Sequence, residues 1–248
     1  MVGVAVAPTG GGAVQTLGPA QVALAWSTSK VPVIVTLLHD YENGKGSLDA
    51  DERTDVQLAL EQSDNAAIDA LFSRLEQIHG GLVAASRAMD ELLRQSGDNK
   101  TIVNIRPNNR GFTTEGQTEW SLRGEVLFYR ALAQGCLLTA RDTGYLMQLM
   151  RNVVPSERWG IGSAGYRQGV AVAFKGGWGP DLSGRYQVRQ TGIILDRKRG
   201  YVVALLALPT SGSFSDGTSM LTTLATWARK HLDLSPTRLS ASSCGKKQ

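Results

Sequence analysis

The chain has 248 residues, 42% of them hydrophobic and 19% charged, with a formal net charge of +4. That length holds a sizeable buried core in one large domain or two small ones, and that balance excludes a disordered chain. The apolar run Val31–Leu38, with Thr36 inside it, is too short to span a bilayer, and the scattered Lys and Arg residues give no basic face for nucleic acid.

From the N-terminus, Val2–Val6 and Ala13–Leu17 are short apolar runs split by Gly10-Gly11-Gly12, which predicts a β-hairpin. No G-K-[ST] follows the glycines, so they read as a turn and not as a phosphate loop. Thr28 to about Tyr41 is apolar on nearly every side, the mark of a helix buried in the core, with Pro32 in its first turn. Helices are predicted at about Asp49–Gln62, Asn65–Gln77, Leu82–Gln95, Ser121–Ala133 and Ala140–Val153. Asp64 is a candidate N-cap. Asp98 to Glu119 is a long irregular stretch. Strands follow at Val170–Phe174, Tyr186–Leu195 and Tyr201–Leu208, the last two joined by a turn at Asp196–Gly200. An amphipathic helix from about Thr218 to His231 precedes a polar tail. Strands at both ends with helices between them make an α+β design, in which the N-terminal hairpin joins the C-terminal strands in one antiparallel sheet.

Two cysteines, Cys136 and Cys244, lack metal-ligand spacing, and His39, His79 and His231 stand apart near predicted helix ends, so no metal and no cofactor is expected. The sequence opens directly on a strand, with no targeting segment.

Three short motifs carry chemistry. Ser27-Thr28-Ser29-Lys30 opens the buried helix, Ser63-Asp64-Asn65 sits at a helix-to-helix junction, and Lys175-Gly176-Gly177 leaves a predicted strand. Ser27 at a helix start has its hydroxyl near the positive end of the dipole, and Lys30 projects from the same face one turn on. A lysine there accepts the serine proton once desolvation or a second cation lowers its pKa, and Lys175 is that second cation. Ser63 relays a proton to the leaving group, and Asn65 orients Lys30 and the substrate amide. Gly176 and Gly177 let a substrate backbone lie beside the strand, and the N–H groups of Ser27 and Trp178 form an oxyanion hole. Arg185, ten residues past Lys175, is a candidate partner for a substrate carboxylate. A second S-x-x-K, Ser243 to Lys246, and a second K-x-G, Lys198-Arg199-Gly200, lie in a polar tail and a hairpin tip and are read as accidental.

S-x-x-K, S-D-N and K-x-G in that order are the motif set of serine enzymes that attack β-lactams and D-Ala-D-Ala peptides. On these residues the chain resembles the penicillin-recognising serine hydrolases, nearest the class A β-lactamase and DD-peptidase-like group, over nearly its whole length. The resemblance implies a five-stranded antiparallel sheet flanked by helices beside an all-helical subdomain. The parts are a sheet part of about 1–26 and 155–232, a helical part of about 27–154 and a tail of 233–248, in one domain with the site in the cleft. It implies an acyl-enzyme on Ser27, a β-lactam or peptidoglycan stem peptide as substrate, an exported monomer, and a Cys136–Cys244 disulfide. The chain departs from the class A pattern in two places. The segment Asn104-Ile105-Arg106-Pro107-Asn108-Asn109-Arg110 has no acid to activate a deacylating water, and neither Glu115 nor Glu119 is assigned that role. Gly176 also stands where a Thr or Ser is usual. Slow deacylation follows as an expectation. A penicillin-binding sensor without turnover, or an S-x-x-K glutaminase or esterase, is the alternative.

Overall fold

The computed structural model describes residues 1–106, 111–197, 199–232 and the backbone of 237–238. The chain opens with β1 (Val2–Pro8) and β2 (Gln15–Leu17), joined through Gly11 and Gly12, whose φ angles of 110° and 113° suit glycine alone. β3 (Val22–Leu24) leads into a 3₁₀ turn, Trp26–Ser29, and then into α1 (Lys30–Glu42). α1 starts two residues later than its composition predicts, because Ser27–Ser29 wind more tightly. It is buried on almost every side, and Pro32 falls where its missing N–H needs no partner.

α2 (Ala50–Glu61) begins with a capping box between Asp49 and Glu52. α3 (Asn65–His79) is capped by Asp64, whose carboxylate accepts from the Ala67 N–H at 2.8 Å, and ends at Gly80 with φ 84°. α4 (Leu82–Gln95) follows, and β4 (Glu119–Ser121) pairs with β3 in a separate two-stranded ribbon. Three residues per strand leave no legible alternation, so the sequence hides this ribbon. α5 (Leu122–Ala133) and α6 (Ala140–Arg151) are capped by Ser121 and Thr139.

β5 (Ala171–Pro180), β6 (Tyr186–Asp196) and β7 (Arg199–Ala207) complete an antiparallel sheet in the order β2-β1-β7-β6-β5. α7 (Phe214–His231) starts four residues before the predicted Thr218. Ser213 caps it, and Gly217 lies where a Cβ would come within 2.3 Å of Val188 Cγ2. β8 (Thr237–Arg238) pairs with the start of β7. α5 lies on one face of the sheet and α7 on the other, so the core divides into two layers. Among the described residues no helix is long and apolar enough to cross a membrane. Cys244, Lys198 and the Ser243–Lys246 motif lie outside the described residues, and so does the predicted disulfide.

Candidate active site

Ser27 sits in the 3₁₀ turn between β3 and α1. Trp26, just before it, has φ 48°, a left-handed conformation that costs a bulky residue roughly 1–2 kcal/mol. The turn is held by Thr28 Oγ1 donating to Ala25 O and Ser29 Oγ donating to Trp26 O, both at 2.7 Å. The Trp26 indole fits over Gly179, where a Cβ would come within 2.5 Å of the ring, and Phe112 meets its edge at 5.0 Å.

One helical turn on, Lys30 is buried. Its Nζ donates to Asn65 Oδ1 at 2.8 Å, to Ser63 Oγ at 3.4 Å and, by a shorter bond, to Ser63 O. Burial and then the Lys175 charge bring its pKa down to about 7. Lys175, on the other side of the cleft, is fully buried, and its Nζ donates to Ser63 Oγ at 2.7 Å and Gly176 O at 3.1 Å. Burial lowers its pKa to about 8, against the opposing Glu157 charge. Ser63 therefore joins the two lysines. It does so with φ 58°, which turns its carbonyl and hydroxyl toward both.

β5 is the last strand of the sheet, so one row of its backbone groups faces the cleft without a strand partner. Gly177 brings that edge against the Ser27 turn: a Cβ there would lie 2.7 Å from Ala25 O, 2.9 Å from Thr28 N and 3.0 Å from Ser27 N. A Cβ on Gly176 would meet the Trp159 ring at 2.9 Å. The two glycines thus let β5 pack closely against the Trp159 ring on one side and the Ser27 turn on the other. Trp178 follows on the same edge strand.

The fold brings together Ser27's turn, Lys30, Ser63, Asn65, Lys175, Gly176 and Gly177. Arg185 is not among them. It sits at the β5–β6 hairpin tip, where its guanidinium pairs with Asp181 at 3.5 Å and lines a cavity of about 710 Å³ with Ile102, Ile105 and Leu182. The strand runs on from Lys175 to Pro180 before that tip, roughly 17 Å at the usual rise, beyond an arginine's reach. Expecting Arg185 beside Lys175 fails because the hairpin is longer than ten residues of sequence suggest.

Three side chains escaped the sequence reading, and a fourth, Glu115, was named there without a role. Glu157, in a 3₁₀ turn after α6, places Oε2 3.7 Å from Lys175 Nζ. Trp159 covers Gly176. Glu115 is buried in a 3₁₀ turn (Glu115–Gln117) that packs on the Ser27 turn, where the carbonyl of Trp26 lies 3.5 Å from the Cβ position of Gly116. Burial raises the Glu115 pKa, opposed by a hydrogen bond from Thr113, and Lys30 feels its charge. Arg189 pairs with Gly177 in the β5–β6 ladder and donates from beneath to Ala23 O, Leu24 O and Trp120 O at 2.8, 3.0 and 3.1 Å. No short motif announces any of the four, since each acquires its partner through a chain reversal.

The model of the β-lactamase enzyme family matches residues 52–231. No curated protein sequence matches the chain. Among solved structures, the chromosome-encoded β-lactamase of Vibrio parahaemolyticus is 17% identical with a TM-score of 0.71, covering 93% of each chain. The structure of PBP-A is 20% identical with a TM-score of 0.72, covering 93% of this chain and 89% of that one. A β-lactamase from Burkholderia vietnamiensis is 18% identical with a TM-score of 0.72, covering 94% and 92%. At such identities these likenesses show the fold alone.

Proposed function

Because the chain belongs to the β-lactamase enzyme family, we propose that it is a serine acyl-transfer hydrolase working through an acyl-enzyme on Ser27, with amide bonds of the β-lactam or D-Ala-D-Ala type as substrates. The observation that carries this reading is the meeting of two buried lysines on one hydroxyl, Ser63 Oγ, with Lys30 one helical turn from Ser27. Lys30, with a pKa of about 7, is neutral in a large share of molecules at physiological pH and accepts the Ser27 proton. Ser27 Oγ attacks the carbonyl, and the N–H groups of Ser27 and Trp178 hold the oxyanion. The proton passes from Lys30 through Ser63 to the leaving nitrogen, while Lys175 holds the Ser63 hydroxyl in place.

Deacylation is the slow step in this reading. Glu115 is a candidate to activate water, but burial raises its pKa, so the carboxyl holds its proton to a higher pH than usual and less of it is ionised to act. A long-lived acyl-enzyme also fits a penicillin-binding sensor. The proposal extends to an exported, monomeric protein.

Intact-mass measurement after exposure to a β-lactam tests it: a stoichiometric adduct is expected on the wild type and none on Ser27→Ala. An adduct of unchanged mass on Ser27→Ala would falsify the assignment. Following the adduct over time separates turnover, in milliseconds, from trapping, in minutes.

A further inference from the structure

We propose that Glu157 is a positioning residue that decides which of the two cleft lysines keeps its proton, holding Lys175 as the cation and leaving Lys30 to act as the base. This rests on the acyl-transfer reading and adds what sets the protonation states at that site. The two amines meet on one hydroxyl, Ser63 Oγ, and both are buried, so their chemistry and burial do not tell them apart. A carboxylate does. Glu157 Oε2 lies 3.7 Å from Lys175 Nζ, an ion-pair distance too long for a hydrogen bond. The partners of Lys30 Nζ are Ser63 and Asn65, both neutral. Glu157 Oε2 is buried and makes no hydrogen bond among the described residues, so the Lys175 charge is what compensates its own.

The segment that carries Glu157 is pinned at both ends. Val154 N–H donates to Glu61 O at 2.9 Å, two residues before Ser63, and Pro155 then opens the turn that ends at Glu157. Beyond it, Gln190 on β6 accepts from Ile161 N–H at 2.6 Å and donates to Trp159 O at 3.0 Å. The other charges nearby are placed differently. Arg158 turns its guanidinium to the carbonyls of Val153 and Arg151, and Arg151 itself is exposed. Asp64 caps α3, Asp69 lies further along that helix, and Glu115 sits in the turn packed on Ser27. Arg189, under the strand, is matched by Glu125 at 2.7 Å. Glu157 also favours a proton on Lys30, but the Lys175 charge opposes that proton more strongly. Holding Lys175 charged therefore keeps Lys30 the more acidic of the two.

Glu157→Gln keeps the shape of the side chain and removes its charge. In a stopped-flow pH profile of acylation by a β-lactam, the falling limb, near pH 8 in the wild type, should move down by about one unit or more. Acylation at that pH should then drop about tenfold relative to the profile's maximum, whereas Glu157→Asp, which keeps the charge, should hold the limb nearer its wild-type place. Titrating isotope-labelled lysine side chains by NMR, with Lys175 assigned from Lys175→Arg, reads the same step without substrate. Lys175 should lose its proton at a higher pH than Lys30 in the wild type, and about one unit or more lower in Glu157→Gln. A limb and a Lys175 titration that Glu157→Gln leaves in place overturn the proposal. So does a variant whose acylation falls equally at every pH, the result of a packing role alone. Should Glu157→Gln misfold, the wild-type titrations decide, and Lys175 deprotonating before Lys30 overturns the assignment. If the wild type forms no adduct on Ser27 by intact mass, the acyl-transfer reading has failed, and the lysine titrations still decide whether Glu157 holds the Lys175 charge.

Discussion

Replacing Arg189 by methionine removes one side chain that serves three pieces of chain at once. In the native protein its guanidinium meets Glu125 Oε2 at 2.7 Å and donates to Ala23 O, Leu24 O and Trp120 O. Arg189 and Glu125 both have 0% exposed side chains, so solvent does not screen the pair. Methionine fills much of the volume but leaves the Glu125 carboxylate in the core with only Thr191 Oγ1, at 2.8 Å, donating to it. Breaking a buried pair on one side costs about 3–5 kcal/mol. The three orphaned carbonyls act in the same direction and are not additive with that figure. A loss of about 4 kcal/mol lowers Tm by roughly 8–16 °C for a chain of this size. Urea unfolding should show a lower midpoint at unchanged m-value. The double variant Arg189→Met/Glu125→Leu should regain most of the loss, because no charge is then left unpaired. A single-variant loss below about 1 kcal/mol, or a double variant no better than the single, would refute the reasoning. The clamped carbonyls belong to β3, which leads into the Ser27 turn, and to β4, which pairs with it, so acylation by Arg189→Met should also fall at temperatures where the variant stays folded.

The remaining expectations concern the cleft. Acylation should rise with pH through about 7, as Lys30 loses its proton, and fall above about 8, as Lys175 loses its own; a stopped-flow pH profile checks this, and Lys30→Arg should be slower by orders of magnitude because arginine does not deprotonate. Gly177→Ala drives a methyl group into the backbone of Ala25 and Ser27, which cannot move aside; it should destabilise by about 1–3 kcal/mol and nearly abolish the adduct, and near-normal acylation would contradict the packing. Glu115→Gln should leave adduct formation largely intact and change the adduct lifetime by less than about tenfold, whereas a lengthening of about 10²–10⁴-fold would mean that Glu115 activates the water. Lys30→Met should be more stable than the wild type at pH 7. Lys30 is depressed in the fold, so the unfolded chain holds its proton more strongly, and the gap should close as pH rises from about 7 to 10.5. Denaturation midpoints across that range would expose a gap of the wrong sign.

The sequence alone determined the elements and the motif-bearing half of the site. Periodicity and caps are local, so α3 behind Asp64, α4, and the β6–β7 hairpin stand where their residues predict. Ser27 and Lys30 share one short turn, which fixes their spacing before any tertiary contact forms. The chain order of the three motifs also pointed to the family. Tertiary structure decided what lies around those residues. Glu157 and Trp159 reach Lys175 and Gly176 only because the turn after α6 folds back beside β5. Glu115 reaches the Ser27 turn only because β4 pairs with β3. Arg185 is carried away by a hairpin whose length no motif encodes, while Arg189 is drawn under the strand by the register of β5 with β6. The physical reason is the range of the forces involved. Helix propensity and capping act over a few residues and are written in the local sequence. Burial, charge pairing and the close approach permitted by Gly177 act between surfaces that meet only once the sheet has closed.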